Sequence, residues 1–345
     1  MTDEYIYKLD AYDYELPEEA IAQEPADPRD SCKLMVVNRK TDEVYHVVFR
    51  DLINFLEPGD LLVLNNTKVM KARLFVNKPT GARIELFLLR PNEDGTWEAL
   101  LRPAKKVKVP SHLVVDDVKI NVHGRHDKIF NVSFDGMSFE DVMRFLDKKG
   151  IMPLPPYIKS GGKVPPEMYQ TVFAEKEGSV AAPTAGLHFT PELLEKIKIM
   201  GVNIAYITLH VGLGTFEPVK EEDIRQHKIH SEYLEVPEST VNIIKQTKTN
   251  GKRVIAVGTT VVRALETAAS DGGLKPYMGE SQLFIYPGYE FKVVDSLITN
   301  FHLPKSTLLM LVSAFYDREK VLNLYREALR RGYRFFSFGD AVFFI

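Results

Sequence analysis

The chain has 345 residues, a formal net charge of −3, 45% hydrophobic residues and 26% charged residues, which is the make-up of a globular protein with one large or two moderate domains. Its single cysteine, Cys32, excludes an internal disulfide framework and a multi-cysteine zinc ribbon, and the slight negative charge argues against a protein that coats nucleic acid without specificity. The acidic start MTDEYIYKLDAYDYEL lacks a signal peptide's apolar core, and no apolar run reaches the roughly 18 residues of a membrane span, so a cytoplasmic protein is expected.

In chain order, residues 10–30 are rich in Pro and acidic residues and predict a turn, a short helix over Glu18–Gln23 and a loop. Lys33–Asn38 and Glu43–Phe49 are strands at hairpin spacing, followed by a short helix over Asp51–Leu56. The apolar strand Asp60–Leu64 stops at the polar run Asn65-Asn66-Thr67-Lys68. From about Val69 the pattern changes to short alternating segments, Arg83–Leu89, Thr96–Arg102, His112–Val115, Val118–Val122 and Ile129–Phe134, which predict a small antiparallel barrel. A helix over Ser138–Lys148 and the rigid Pro153–Tyr157 connector follow. Beyond Gly178, strands and helices alternate. Thr190 caps a helix that Gly201 ends, and Val202–Val211 and Arg253–Val257 read as strands. Val261–Ala269, Ser306–Phe315 and Glu319–Arg331 read as helices. Leu283–Ile285 and Lys292–Val294 are expected as strands, and Arg334–Phe338 with Ala341–Ile345 as a hairpin or bent strand. The fold class is therefore α/β, a largely parallel sheet with flanking helices plus an inserted small antiparallel β-barrel. Residues 1–67 and 152–345 would form the discontinuous α/β catalytic domain, with 68–151 as the insertion.

Charge is uneven along this plan. Asn66–Gly150 holds 16 basic against 11 acidic residues, and its densest basic run is Arg102, Lys105, Lys106 and Lys108. Composition alone favours a solvated loop face for that run; the alternative is a contact to phosphates. Gly212-Leu-Gly214 is not a dinucleotide loop, because Glu217 stands at the third glycine and Pro218 where the helix should open. Gly258-Thr259-Thr260 ends a strand and opens a helix, where free N–H groups could hold an anion or simply cap a turn. His227/His230 and His123/His126 have metal-like spacing without further ligands, so no metal is assigned, and His123–His126 reads as a turn of the barrel. Cys32 has no evident partner and no serine lies in a nucleophile elbow. Four histidines, His188, His210, His230 and His302, remain at element junctions, which makes general acid/base chemistry plausible.

The same residues carry a resemblance. Asp13–Pro17, Ile21–Pro25, Asp27–Arg29, Leu64–Thr67, Leu154–Tyr157, Tyr169–Phe173, Ala181–Thr190, His210–Phe216, His230–Tyr233, Gly258–Thr260 with Arg263, Thr299–Pro304 and Tyr333–Asp340 are similar to the motifs of the S-adenosylmethionine:tRNA ribosyltransferase-isomerases of queuosine biosynthesis. The resemblance spans nearly the whole chain. It implies an α/β domain with an inserted β-barrel and transfer of the ribosyl part of S-adenosylmethionine, a co-substrate rather than a resident cofactor. The acceptor would be the aminomethyl group of 7-aminomethyl-7-deazaguanine at the wobble position of a tRNA, and the products epoxyqueuosine-tRNA, adenine and methionine. A monomer is expected. Under this resemblance the four histidines would share the proton transfers, and Gly212, Gly214, Thr215, Glu217, Gly258, Thr259, Thr260, Arg263, Asn300 and Asp340 would bind substrates. Arg102, Lys105, Lys106 and Lys108 would meet tRNA phosphates. Glu217, Phe338 and the Cys32-Lys33 pair depart from the usual pattern. A methyltransferase, which would release S-adenosylhomocysteine, and a non-catalytic RNA-binding module are the competing classes.

Overall fold

The computed structural model of the chain describes residues 3–159, 164–212, 219–270 and 272–345. The strands are β1 (Lys33–Val37), β2 (Val44–Val48), β3 (Leu61–Asn65), β4 (Thr67–Val69), β5 (Arg73–Asn77), β6 (Arg83–Pro91), β7 (Trp97–Arg102), β8 (Ser111–Val115) and β9 (Val118–His126). They continue as β10 (Ile129–Phe134), β11 (Lys176–Ser179), β12 (Asn203–Leu209), β13 (Glu232–Val236), β14 (Val254–Val257), β15 (Tyr277–Ser281), β16 (Ser296–Asn300) and β17 (Ala341–Phe344). The α-helices are α1 (Phe139–Lys149), α2 (Pro191–Ile199), α3 (Glu238–Thr249), α4 (Thr259–Ala268), α5 (Thr307–Phe315) and α6 (Arg318–Arg330). The chain divides into two compact units, one of Met1–Thr67, Pro156–Glu175 and Pro183–Ile345, the other of Lys68–Pro155 and Lys176–Ala182.

The first unit is built on a nine-stranded sheet in the order β15-β13-β12-β3-β14-β16-β17-β1-β2. It is mixed, not largely parallel as expected. The pairs β12/β3, β3/β14, β14/β16 and β17/β1 are parallel, whereas β15/β13, β13/β12, β16/β17 and β1/β2 are antiparallel. The reason lies in the connections: a parallel neighbour needs a crossover, and β1 and β2 are joined by a tight hairpin instead. The helix pair α5 and α6 carries the chain out and back, so β17 runs against β16. Strand residues of alternate parity face one side, where Leu34, Val36, Leu62, Leu64, Ile255, Val257, Ile298 and Phe343 pack on Leu193, Leu194 and Ile197 of α2. A 3-10 helix over Phe49–Phe55 adds Phe49 and Leu52 to this core, in place of the short α-helix expected from residue 51.

Two expected strands are loops. Leu283–Ile285 and Lys292–Val294 form no ladder; in the second segment the fully buried Glu266 of α4 takes the main-chain donors. Its Oε1 accepts from Val293 N at 3.0 Å and Val294 N at 3.1 Å, and its Oε2 from Lys292 N at 2.8 Å and the Tyr289 hydroxyl at 3.1 Å. Main-chain N–H groups held by a carboxylate are unavailable to a sheet. Likewise, Arg334–Phe338 is a looped turn, not a strand. Asp340 closes it by accepting from Arg334 N at 2.7 Å and from Lys33 N at 2.8 Å. Gly339 is required there, since a Cβ would sit 2.5 Å from the carbonyl oxygen of Arg334. The expected Glu18–Gln23 helix is a single 3-10 turn, Glu18–Ala20, while β13, β15 and α3 were not anticipated.

The second unit holds a closed antiparallel barrel, β10-β7-β6-β5-β8-β9. Leu74, Val76, Ile84, Leu86, Trp97, Ala99, Leu113, Ile120, Phe130 and Val132 alternate inward and are buried. The sixth strand, β5, was missed in the sequence because Phe75 faces outward and blurs the alternation; it is covered by the Arg83 guanidinium, 4.1 Å from its ring centre. Ser138 and Asp141 form a capping box at the start of α1. His123–His126 is the end of β9 and not a turn. No helix among the described residues is long and apolar enough to cross a membrane.

Candidate active site

The register brings one edge of the nine-stranded sheet into focus. The parallel strands β12, β3, β14 and β16 all finish there, and a ligand in an open α/β sheet sits outside the carboxyl ends of such strands. Because β13 and β17 are antiparallel to their neighbours and β1 is parallel to β17, these three begin at the same edge. The edge thus gathers Asn65, Asn66 and Thr67 after β3, His210 after β12, Gly258–Thr260 after β14, Asn300–His302 after β16, Glu232 at the start of β13, and Cys32 and Asp340 before β1 and β17.

Asn65 is the junction of this edge. Its Oδ1 accepts from Thr67 N at 3.1 Å and Leu209 N at 3.0 Å, and its Nδ2 donates to Leu209 O at 3.0 Å and Thr260 Oγ1 at 3.3 Å. One side chain therefore ties the end of β3 to the end of β12 and to the first turn of α4. Gly258, at φ +96°, makes the bend into α4, which begins at Thr259, two residues earlier than expected. Thr67 Oγ1 lies 2.8 Å from His210 Nδ1, and the half-buried His210 ring stacks on Tyr233 at 5.7 Å.

At one end of the edge stands His188, closing the 3-10 turn Thr184–His188 and 4% exposed. Its Nε2 is 2.9 Å from Asn300 Oδ1 and its Nδ1 is 3.2 Å from Cys32 Sγ. Asn300 Nδ2 donates to the carbonyls of Phe336 at 2.8 Å and Ser337 at 3.3 Å, which makes its Oδ1 the acceptor and puts the imidazole proton on Nε2. Nδ1 then accepts from the thiol. Burial lowers the His188 pKa to about 4 and pushes the Cys32 thiol well above its ordinary range. Both are neutral at pH 7, so the pair is no thiolate–imidazolium couple. Cys32, expected to be without a partner, has one 156 residues away. His188 also lines a cleft with Arg29, Ser337 and Phe338. Arg29 is fixed there by donating to the carbonyls of Gln170 and Glu167, each at 2.6 Å.

At the other end, Arg263 of α4 and Glu232 form a buried ion pair. Arg263 Nε also donates to Leu283 O at 3.2 Å, and Gly212 N donates to Glu232 Oε1 at 3.0 Å. These residues and the exposed His230 line a second cleft. His227 lines it too, and its Nδ1 is 2.8 Å from Glu221 Oε2.

The remaining candidates are placed as follows. His302 lies beyond β16, with Nε2 3.0 Å from Thr299 Oγ1 and its main chain bonded to the hydroxyls of Tyr14 and Tyr325. Burial lowers its pKa to about 3, and it lines neither cleft. Asp340 spends both carboxylate oxygens on main-chain donors, and burial raises its pKa. Thr259 is buried at the start of α4. Arg102, Lys105, Lys106 and Lys108 are all exposed around the turn that joins β7 to β8 in the barrel. Gly214, Thr215 and Glu217 lie outside the described residues. Asn65, Thr67, Glu232 and Arg29 were not singled out beforehand. The signal was present: each is a polar residue beside an apolar strand end or inside a motif already quoted.

The comparisons with known proteins agree over nearly the full length. A family profile described as queuosine biosynthesis protein matches residues 9–344. The chain is 56% identical over 341 residues to an S-adenosylmethionine:tRNA ribosyltransferase-isomerase of a Sulfurihydrogenibium species, covering 98% of this chain and 100% of that one. It is 53% identical to the protein of the same name from Thermotoga maritima, covering 97% and 99%. Among solved structures, the crystal structure of S-adenosylmethionine tRNA ribosyltransferase from Thermotoga maritima is similar, with a TM-score of 0.57 and 43% identity over 97% of this chain and 100% of that one.

The buried histidine fixes a pH dependence. The folded state holds His188 neutral down to about 4, whereas the unfolded chain protonates near the ordinary value of 6.5, so stability falls as pH drops through that window. In urea unfolding, the wild type should lose about 2 kcal/mol of its margin over His188→Gln between pH 7 and about pH 5. A margin that stays constant with pH would mean that His188 titrates normally.

Proposed function

Since the chain belongs to the queuosine biosynthesis protein family, we propose that it is an S-adenosylmethionine:tRNA ribosyltransferase-isomerase. It moves the ribosyl part of S-adenosylmethionine onto the aminomethyl group of 7-aminomethyl-7-deazaguanine at the wobble position of tRNA and rearranges it, giving epoxyqueuosine-tRNA, adenine and methionine. The observation that carries this reading is the identity above 50% to relatives of that name over 97–98% of the chain. The polar edge at the carboxyl ends of β12, β3, β14 and β16 supports it as a place for the chemistry.

The reaction asks for three proton movements. The sulfonium acidifies the adjacent C5′–H, which a base must remove. Adenine must leave with a proton, and the substrate ammonium must lose one before its nitrogen attacks; methionine then departs as a neutral thioether. A group that carries these protons needs an accessible nitrogen. The half-buried His210 and exposed His230 are the less buried of the four histidines and are assigned the transfers. His188, with both ring nitrogens engaged, and His302, buried behind β16, are assigned to positioning. Asn300 would act through His188, and Asp340 through the Arg334–Gly339 turn. Arg102, Lys105, Lys106 and Lys108 are proposed to meet tRNA phosphates, the exposed barrel turn giving them reach.

Two measurements test this reading. Incubation with S-adenosylmethionine and tRNA bearing the aminomethyl base should release adenine and methionine on chromatography, with His210→Ala about a hundredfold or more slower. Release of S-adenosylhomocysteine would make the enzyme a methyltransferase, and tRNA binding without any turnover would make it a binding module. Neutralising Lys105, Lys106 and Lys108 together should weaken tRNA binding and flatten its dependence on salt by about two to three counterions. An unchanged salt slope would remove these lysines from the interface.

A further inference from the structure

The Arg263 cleft is chemically incomplete. Arg263 is 6% exposed, and a guanidinium stays charged in a protein and carries five N–H donors. Nε is used on Leu283 O and Nη1 on Glu232, but the buried Nη2 has no hydrogen-bond partner among the described residues. Glu232 meets Nη1 through Oε2 and holds Gly212 N through Oε1. A buried cationic donor left without an acceptor is costly, and such a group in a native fold calls for an explanation. The surroundings supply one. Phe284, Ile285, Leu308 and Leu311 give the cleft an apolar wall alongside its polar lining. The ligand that fits has an oxyanion at one end and a short apolar stem behind it.

We propose that Arg263 Nη2 receives the carboxylate of the methionyl part of S-adenosylmethionine, with the two methylenes between its α-carbon and the sulfonium covered by the apolar wall. The assignment rests on the ribosyl-transfer reading, in which that carboxylate is the single anionic group of the cosubstrate. Glu232 then has two tasks, to orient the guanidinium and to tie Gly212 to it. Arg263 lies one helical turn beyond Thr259 on the same face of α4, so the carboxylate end is anchored next to the Gly258–Thr260 bend. A phosphate of tRNA offers the same oxyanion chemistry, and the ligand arms below separate the two sources.

The test is a cycle between ligand and protein, read by calorimetric titration of the full chain. Wild type should bind S-adenosylmethionine about tenfold to a hundredfold more tightly than its decarboxylated analogue. In Arg263→Gln, S-adenosylmethionine should fall to the analogue's level, and loss of the carboxylate should then cost nothing further. Because that change leaves Glu232 buried without its cation, Arg263→Gln combined with Glu232→Gln serves if the single variant does not fold. Leu308→Trp, which fills the cleft and spares the ion pair, should weaken S-adenosylmethionine at least about tenfold. Equal binding of the two ligands by wild type, or a preference that survives in the Arg263 variants, overturns the proposal. Unaltered affinity in Leu308→Trp does the same. Weaker binding of an anticodon stem-loop by Arg263→Gln with an unchanged ligand preference would assign the site to a tRNA phosphate instead. If wild type binds no S-adenosylmethionine at all, the ribosyl-transfer reading itself fails, which is a different result from binding without discrimination.

Discussion

A sheet of parallel strands ends with main-chain groups that no longer have neighbours, and here Asn65 takes up that role at the centre. Its amide uses both donors and both acceptor positions on Thr67, Leu209 and Thr260. An amide satisfied on all sides and 1% exposed has one orientation available, so the ends of β3 and β12 and the start of α4 are held in one geometry. Asn66 repeats the device next door, accepting from Thr208 Oγ1 at 2.7 Å and donating to Glu175 Oε2 at 3.1 Å. The edge is tied to Asn65 on two sides: His210 through Thr67, and Arg263 through α4, whose first turn Asn65 meets at Thr260.

The two ends of that edge differ in electrostatic character. Around His188, Cys32 and Asn300 the groups are buried and neutral, and the hydrogen-bond direction runs one way, from thiol to imidazole to amide to carbonyl. Around Arg263 and Glu232 the charges are paired but one donor is left over. The edge therefore has a neutral hydrogen-bonded relay at one end, with the Arg29 guanidinium in the same cleft, and a left-over cationic donor at the other, with the imidazoles of His210 and His230 between them or beside the donor. The Glu266 carboxylate performs a purely structural version of the same task, capturing four donors to fold the loop that supplies Phe284 and Ile285.

Much of this was legible in the sequence and some was not. The caps at Thr190, Ser138 and Ser306 and the alternation through β6 to β10 follow from local chemistry, and the structure realises them. What failed depended on distant partners. The loop at Lys292–Val294 has strand-like residues, yet its N–H groups belong to a carboxylate 26 to 28 residues back. Strand direction was misjudged because antiparallel returns, such as β17 against β16, leave no mark on hydrophobic periodicity. The Cys32–His188 contact joins two residues whose spacing carries no information about each other. Nor do the motifs around His302 and Asp340 show that His302 Nε2 meets Thr299 and that both Asp340 carboxylate oxygens meet main-chain N–H groups.

The dependence on Asn65 can be tested in one measurement, the steady-state kcat of Asn65→Ala in ribosyl transfer, taken together with the exchange rates of the Thr67 and Leu209 amides. Expected is a fall in kcat of about a hundredfold in a variant that still folds, with both amides exchanging faster than in wild type. A wild-type kcat in a variant whose two amides have lost their protection would contradict the central role given to this side chain.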